Sequence, residues 1–220
     1  MRPPLPPLHF LVLGFLLLTL LAIMQFGLIS LGFQKLGLSA HSATLLLLTS
    51  LLGAGINLPL GSVRAKAPET QTPLPPLPWG LPRLPFTGQT RIAVNVGGGL
   101  VPLCFSVYLL RQNPLPIASV LLATSIVAAV SYRMSRPIPG LGIGMPIFVA
   151  PLTAAIVGLV LGGEHAPMVA YIAGTLGVLI GADLLRLPEV RKLGAPFASI
   201  GGAGTFDGIF MTGLIAVLLT

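Results

Sequence analysis

Residues 115–132 read LPIASVLLATSIVAAVSY, eighteen consecutive positions without a charge, stopped only at Arg133. At about 1.5 Å of rise per residue, a helix of that length nearly covers the ~30 Å hydrocarbon core of a bilayer. Comparable apolar runs lie at 9–31, 40–60, 92–110, 143–162, 166–185 and 197–219. With 54% of the 220 residues hydrophobic and only 8% charged, the chain has too little polar surface for a soluble domain. The expected fold class is an all-α integral membrane protein of about seven transmembrane helices, forming a single polytopic domain over residues 1–220 and interrupted by glycine- and proline-broken segments. Cys104 is the sole cysteine, so a disulfide framework is excluded.

The net charge of +7 is explained by where the cations fall. Arg2, Arg64, Lys66, Arg83, Arg91, Arg133, Arg136, Arg186, Arg191 and Lys192 alternate onto one side of the seven runs, leaving only Lys35 and Arg111 on the other. Short cytoplasmic loops collect Lys and Arg, so this division predicts a cytoplasmic amino terminus and an outside carboxyl terminus, with the plasma membrane as the expected location. It also removes nucleic acid as a partner. The first run continues uncharged to Leu31, longer than the ~7–15 residues of a signal-peptide core, and reads as a retained span.

The one long connection, residues 61–91, carries Pro68, Pro73, Pro75, Pro76, Pro78, Pro82 and Pro85 and is expected to be a cytoplasmic loop without regular structure. Glycine clusters at Gly97-Gly98-Gly99, at Gly140 to Gly144 and at Gly201-Gly202-Ala203-Gly204. Each glycine weakens a helix by about 1 kcal/mol, and broken backbone at membrane depth must be buried in protein or line a wet cavity. The three segments are therefore expected to converge on one interior, and leucine should be worse tolerated at Gly202 or Gly204 than at Gly32 or Gly158. Residues 117–162 and 168–220 also resemble each other in order: apolar span, cationic turn, glycine and proline stretch, apolar span.

Of the five acids, Glu69, Glu164 and Glu189 fall between runs, whereas Asp183 and Asp207 fall inside the last two. An aspartate at a span's centre costs about 2.5–3.5 kcal/mol on insertion scales, which marks both as candidate functional groups. Asp183 has a structural alternative, an ion pair with Arg186 three residues on; Asp207 has no cation so near and could instead cap a helix or hydrogen-bond to Ser199 or Thr205. Two carboxyls at hydrogen-bonding distance could share a proton, one as general base and one as acid. That arrangement requires Ser199–Gly204 to be unwound, because a straight helix would carry Asp207 some ten ångström past Asp183.

The stretch Gly202-Ala203-Gly204-Thr205-Phe206-Asp207-Gly208-Ile209-Phe210, with Asp183 on the preceding span, resembles the paired-aspartate intramembrane peptidases. In those families the second aspartate follows Gly-x-Gly directly, whereas here Thr205 and Phe206 intervene. The resemblance implies catalytic roles for Asp183 and Asp207. Over residues 90–220, Asn95 to Gly99, Ile180-Gly181-Ala182-Asp183-Leu184-Leu185 and Gly201 to Phe210 resemble the bacterial and archaeal membrane family known as domain of unknown function 1614. This resemblance implies an integral membrane protein and no particular chemistry.

Three function classes follow. The first is a small-solute or ion transporter or channel, in some versions proton-coupled, with a polar interior around Asp207; Asn95, Gly97, Gly98, Gly202 and Gly204 line its pathway, and Asn57, Gln25 and Asp183 extend it. The second is an aspartyl peptidase using Asp183 and Asp207. The third is a non-catalytic membrane scaffold or assembly factor. The expected partner is the lipid bilayer, together with another membrane protein or a second copy of the chain. No cofactor and no metal are expected, because His9, His41 and His165 form no ligand spacing with the acids.

Overall fold

A computed structural model describes residues 27–28, 30–65, 87–138, 142–192, 194–202 and 208–220. The chain is predominantly helical, and helix occurs within every one of the seven apolar runs. Residues 30–35 are helical and are followed by α1 (Ala40–Gly53), α2 (Val101–Gln112), α3 (Ile117–Met134), α4 (Val149–Gly162), α5 (Ala166–Val178) and α6 (Gly208–Leu219). Ser39 starts α1 by accepting the Ser42 N–H on its hydroxyl, and Pro102 sits in the first turn of α2, where its missing N–H costs nothing.

The all-α expectation is corrected by five strands: β1 (Asn57–Arg64), β2 (Gln89–Asn95), β3 (Arg136–Ile138), β4 (Gly142–Gly144) and β5 (Phe197–Ile200). β2 is the centre of a three-stranded sheet, antiparallel to β1 and parallel to β5. Its Thr90, Ile92 and Val94 alternate with Gln89, Arg91 and Ala93, a period of two that the apolar run at 92–110 conceals by continuing into α2. β1 lies on the sheet edge, a position that tolerates Pro59. The two strands also correct the reading of residues 61–91 as wholly irregular: β1 and β2 take both ends of that segment. Its proline-rich middle, residues 66–86, lies outside the described residues.

The helices pack through small residues. A Cβ on Gly177 would strike Val127, and a Cβ on Gly158 would come within 3.0 Å of the Ala170 Cα and the Ala166 carbonyl. The second contact also shows that Val149–Leu184, a 36-residue apolar helical stretch, is folded back on itself. The turn is at Gly163, whose φ of 53° is left-handed, so α4 and α5 form a hairpin. That stretch and Ile117–Met134 are, among the described residues, the helical stretches long and apolar enough to cross a membrane.

Phe33, Leu109, Val127, Tyr171, Ile172 and Val217 fill the centre of the bundle, with the Phe105 and Tyr171 rings edge-on at 5.2 Å. A second cluster joins Ile92 and Ile200 of the sheet to Val178 at the end of α5, to Leu179 and Ala182 just beyond it, and to Ile209 of α6. Large apolar side chains remain on the outside: Leu52 of α1 and Val160 of α4 are each 75% exposed, and Leu121 of α3 is 63% exposed. Such a surface is unfavourable in water and suits lipid.

Candidate functional site

β2 and β5 run side by side, and each ends in glycine. After Asn95 the backbone enters a π-helical turn, Val96–Leu100, before α2 begins. After Ile200 it turns through Gly201 and Gly202, with φ of 79° and 86°. Both values lie in the left-handed region that glycine occupies without penalty. The two turns touch: a Cβ on Gly201 would lie 2.6 Å from both the Cα and the amide nitrogen of Gly99. Gly97 presses still more closely on the backbone at the end of α1, and its carbonyl accepts the Ser50 hydroxyl at 2.6 Å.

Asp183 enters this junction from α5. The helix widens at Leu179–Leu184 into a second π-helical turn, a feature that recurs at functional sites. Within that turn the Asp183 Oδ2 accepts the Gly201 N–H at 3.0 Å. Arg186 is committed elsewhere. Its guanidinium donates to the Tyr132 and Ser135 carbonyls at 2.6 and 2.9 Å, pairs with Glu189 at 2.6 Å and lies over the Tyr132 ring. The ion-pair alternative for Asp183 is thereby replaced: Arg186 ties the end of α3 to the turn at 187–192, and Asp183 serves the glycine turn.

Asn95 has its amide fixed from two sides. Its Oδ1 accepts the Gly98 N–H at 2.8 Å, while its Nδ2 donates to the Ala54 carbonyl at 2.7 Å and to Asn57 Oδ1 at 3.2 Å. The Ser199 hydroxyl donates to the same Asn57 oxygen at 2.6 Å. Asn95 is fully buried, so every one of these bonds replaces one to water.

The structure thus brings together Asn95, Gly97, Gly98, Gly202 and Asp183, which were all marked in the sequence. Asp207 and Gly204 lie outside the described residues, as does Gln25. Of the third glycine segment, Gly142–Gly144 pairs with Arg136–Ile138, and its Ile143 packs near Val63 and Ala198 of the sheet. This also limits the similarity of the two halves, since β4 pairs locally and β5 pairs with β2. Ser50 and Arg186 carry no sequence signal of their role, because a lone serine or interfacial arginine is ordinary in any membrane helix.

Two buried hydroxyls lie on the face of α3 that packs against α5. Thr124, Val127, Ala128 and Ser131 lie on one face of α3 at spacings of three and four. Val127 and Ala128 contact Gly177 of α5 and Gly181 of the π-helical turn that continues it, so the same face points toward the stretch that carries Asp183. The Thr124 and Ser131 hydroxyls, like that of Thr175 on α5, are buried and have no hydrogen-bond partner among the described residues.

No curated protein and no solved structure matches the chain. A family model described as a protein of unknown function (DUF1614) matches residues 51–219, which takes in every element from the end of α1 to α6. The chain belongs to the DUF1614 family.

Proposed function

We propose that this chain is a multi-pass membrane protein that conducts protons, alone or coupled to a small ion or solute, through a polar interior built around Asp183 and Asp207. Seven crossings are proposed, with the amino terminus and the proline-rich loop cytoplasmic, the carboxyl terminus outside and the plasma membrane as the location. Strand directions support this alternation: β2 and β5 begin runs that leave the cytoplasm and are parallel, while β1 ends a run that enters it and is antiparallel to both. The Lys35 ammonium donates to the Val217 and Leu218 carbonyls, which agrees with the first outside loop and the carboxyl terminus sharing a side.

The observation that carries the transport reading is that, of the three buried hydroxyls without a partner among the described residues, two, Thr124 and Ser131, lie on the face of α3 that meets the α5 stretch just before Asp183. Leaving a buried polar group unsatisfied costs about 1–3 kcal/mol, an expense that dry packing does not require and a polar passage does. Broken backbone of two adjacent segments beside a carboxylate is the kind of construction transporters use at their binding sites. The test is proton flux into liposomes containing a pH dye under an imposed potassium diffusion potential. Wild-type protein should exceed empty liposomes, and Asp183→Asn and Asp207→Asn should both return to the empty-liposome rate. Flux unchanged in both variants would refute the reading.

A second reading, an aspartyl peptidase using both carboxyls, is favoured by a separate observation: residues 197–202 are strand and turn, not helix. This is the unwinding that a return of Asp207 toward Asp183 requires. A photoreactive hydroxyethylene isostere, which mimics the tetrahedral intermediate between two carboxyls, should label the wild type and neither asparagine variant if this reading holds.

A further inference from the structure

We propose that the open face of the three-stranded sheet carries a binding site for a small organic monocarboxylate, held by the Arg91 guanidinium and the Asn57 side-chain amide. Cross-strand partners share a face, so Asn57 and Asn95, Pro59 and Ala93, Arg91 and Phe197, and Ala93 and Ser199 all lie on the side opposite the Ile92–Ile200 core. A cleft of about 530 Å³ opens on that side, lined by Asn57, Pro59, Gln89, Arg91, Pro196 and Phe197 among others. The size suits a small molecule.

The polarity of the cleft follows from bonds behind it, without ambiguity about amide orientation. A backbone N–H can only donate, so Gly98 fixes which end of Asn95 is oxygen; the Ala54 carbonyl can only accept, so it fixes the other end as nitrogen. Asn95 Nδ2 therefore makes its Asn57 partner an oxygen, and the Ser199 hydroxyl takes that same oxygen. What Asn57 has left is its NH₂, which among the described residues has no partner. Arg91 is exposed, and its guanidinium likewise has no partner among the described residues. The described lining contains one cation and no acid.

A cleft whose fixed groups donate and whose charge is a single positive one selects an acceptor of single negative charge. A carboxylate meets the guanidinium with two oxygens, whereas a doubly charged phosphate would leave one charge uncompensated. Phe197, Pro196 and Pro59 supply flat apolar walls, so the body behind the carboxylate is apolar. This site stands independently of the transport reading.

The test uses the full chain in nanodiscs of zwitterionic phosphatidylcholine, with empty nanodiscs as the blank. Three probes of one shape, benzoate, neutral benzamide and cationic benzylamine, are titrated by saturation-transfer NMR. Benzoate should bind in preference to the other two. Arg91→Gln, at an exposed position, should weaken benzoate roughly ten- to a hundredfold, the worth of a charge-assisted hydrogen bond. Asn57→Asp keeps an oxygen for Asn95 and Ser199 but replaces the donor with a negative acceptor, so it should abolish benzoate binding and admit benzylamine. Benzamide binding as well as benzoate, benzoate failing to bind the folded wild type, or unchanged benzoate affinity in either variant would overturn the proposal.

Discussion

Alanine at Gly201 tests the junction that the candidate site depends on. Two costs are separable there. Placing a Cβ on a left-handed residue costs about 1–2 kcal/mol. The added methyl would also lie 2.6 Å from the Gly99 backbone, which cannot swing aside as a side chain can, and overpacking of this kind costs about 1–3 kcal/mol. Together they amount to about 2–5 kcal/mol, or roughly 4–20 °C in midpoint for a chain of this size. Gly37 supplies the control, because its φ of 81° nearly equals the 79° of Gly201 while nothing lies within 4 Å of its Cβ position. Gly37→Ala should therefore show the conformational cost alone, about 2–8 °C. Thermal unfolding followed by circular dichroism in a mild detergent reads both variants. Equal midpoints for Gly201→Ala and Gly37→Ala would refute the claim that the glycine turns are in backbone contact.

Asp183→Asn keeps an oxygen to accept the Gly201 N–H, so the protein should remain folded with a midpoint close to wild type, whereas Asp183→Ala should be clearly less stable; the same melting measurement separates them. Arg186→Lys cannot reproduce a fork that reaches two carbonyls, Ser135 Oγ and Glu189 at once, and should cost about 1–3 kcal/mol, read as a lower midpoint. Leucine at Gly158 should prevent correct insertion or folding, because its Cβ meets backbone, while leucine at Gly32 should be milder, since the nearest atom is the movable end of Leu214; yield of monodisperse protein is the readout.

That contrast between Gly158 and Gly32 marks a limit of sequence reading. Both glycines sit in apolar runs and look alike; only the α4–α5 hairpin, which places Ala170 against Gly158, distinguishes them. Among the described residues each apolar run contains helix, but hydropathy hides β2 and β5, because Ile92-Ala93-Val94 and Ala198-Ser199-Ile200 are as apolar as the helices they precede. Four residues of strand carry too little pattern to interrupt a twenty-residue window. The junction itself is legible for a physical reason: glycine clusters and an acid inside an apolar run are expensive in lipid, so Gly97–Gly99, Gly201–Gly202 and Asp183 stand out in the sequence alone. Gly142 and Gly144 stand out by the same logic but serve the pairing of β4 with β3, a role that glycine also suits. The Arg91 cleft had no linear signature, as Asn57, Arg91 and Phe197 meet only through strand register.

The transport reading makes the α3–α5 contact a polar passage leading to Asp183. Substituted-cysteine labelling tests it most directly, and replacing the sole native cysteine, Cys104, with serine provides a clean background. Ser131→Cys and Thr124→Cys in membranes should react with a small charged methanethiosulfonate reagent much faster than Ala155→Cys, a buried position in the apolar core. Reaction at 131 and 124 as slow as at 155 would show that this contact is dry and would contradict the passage.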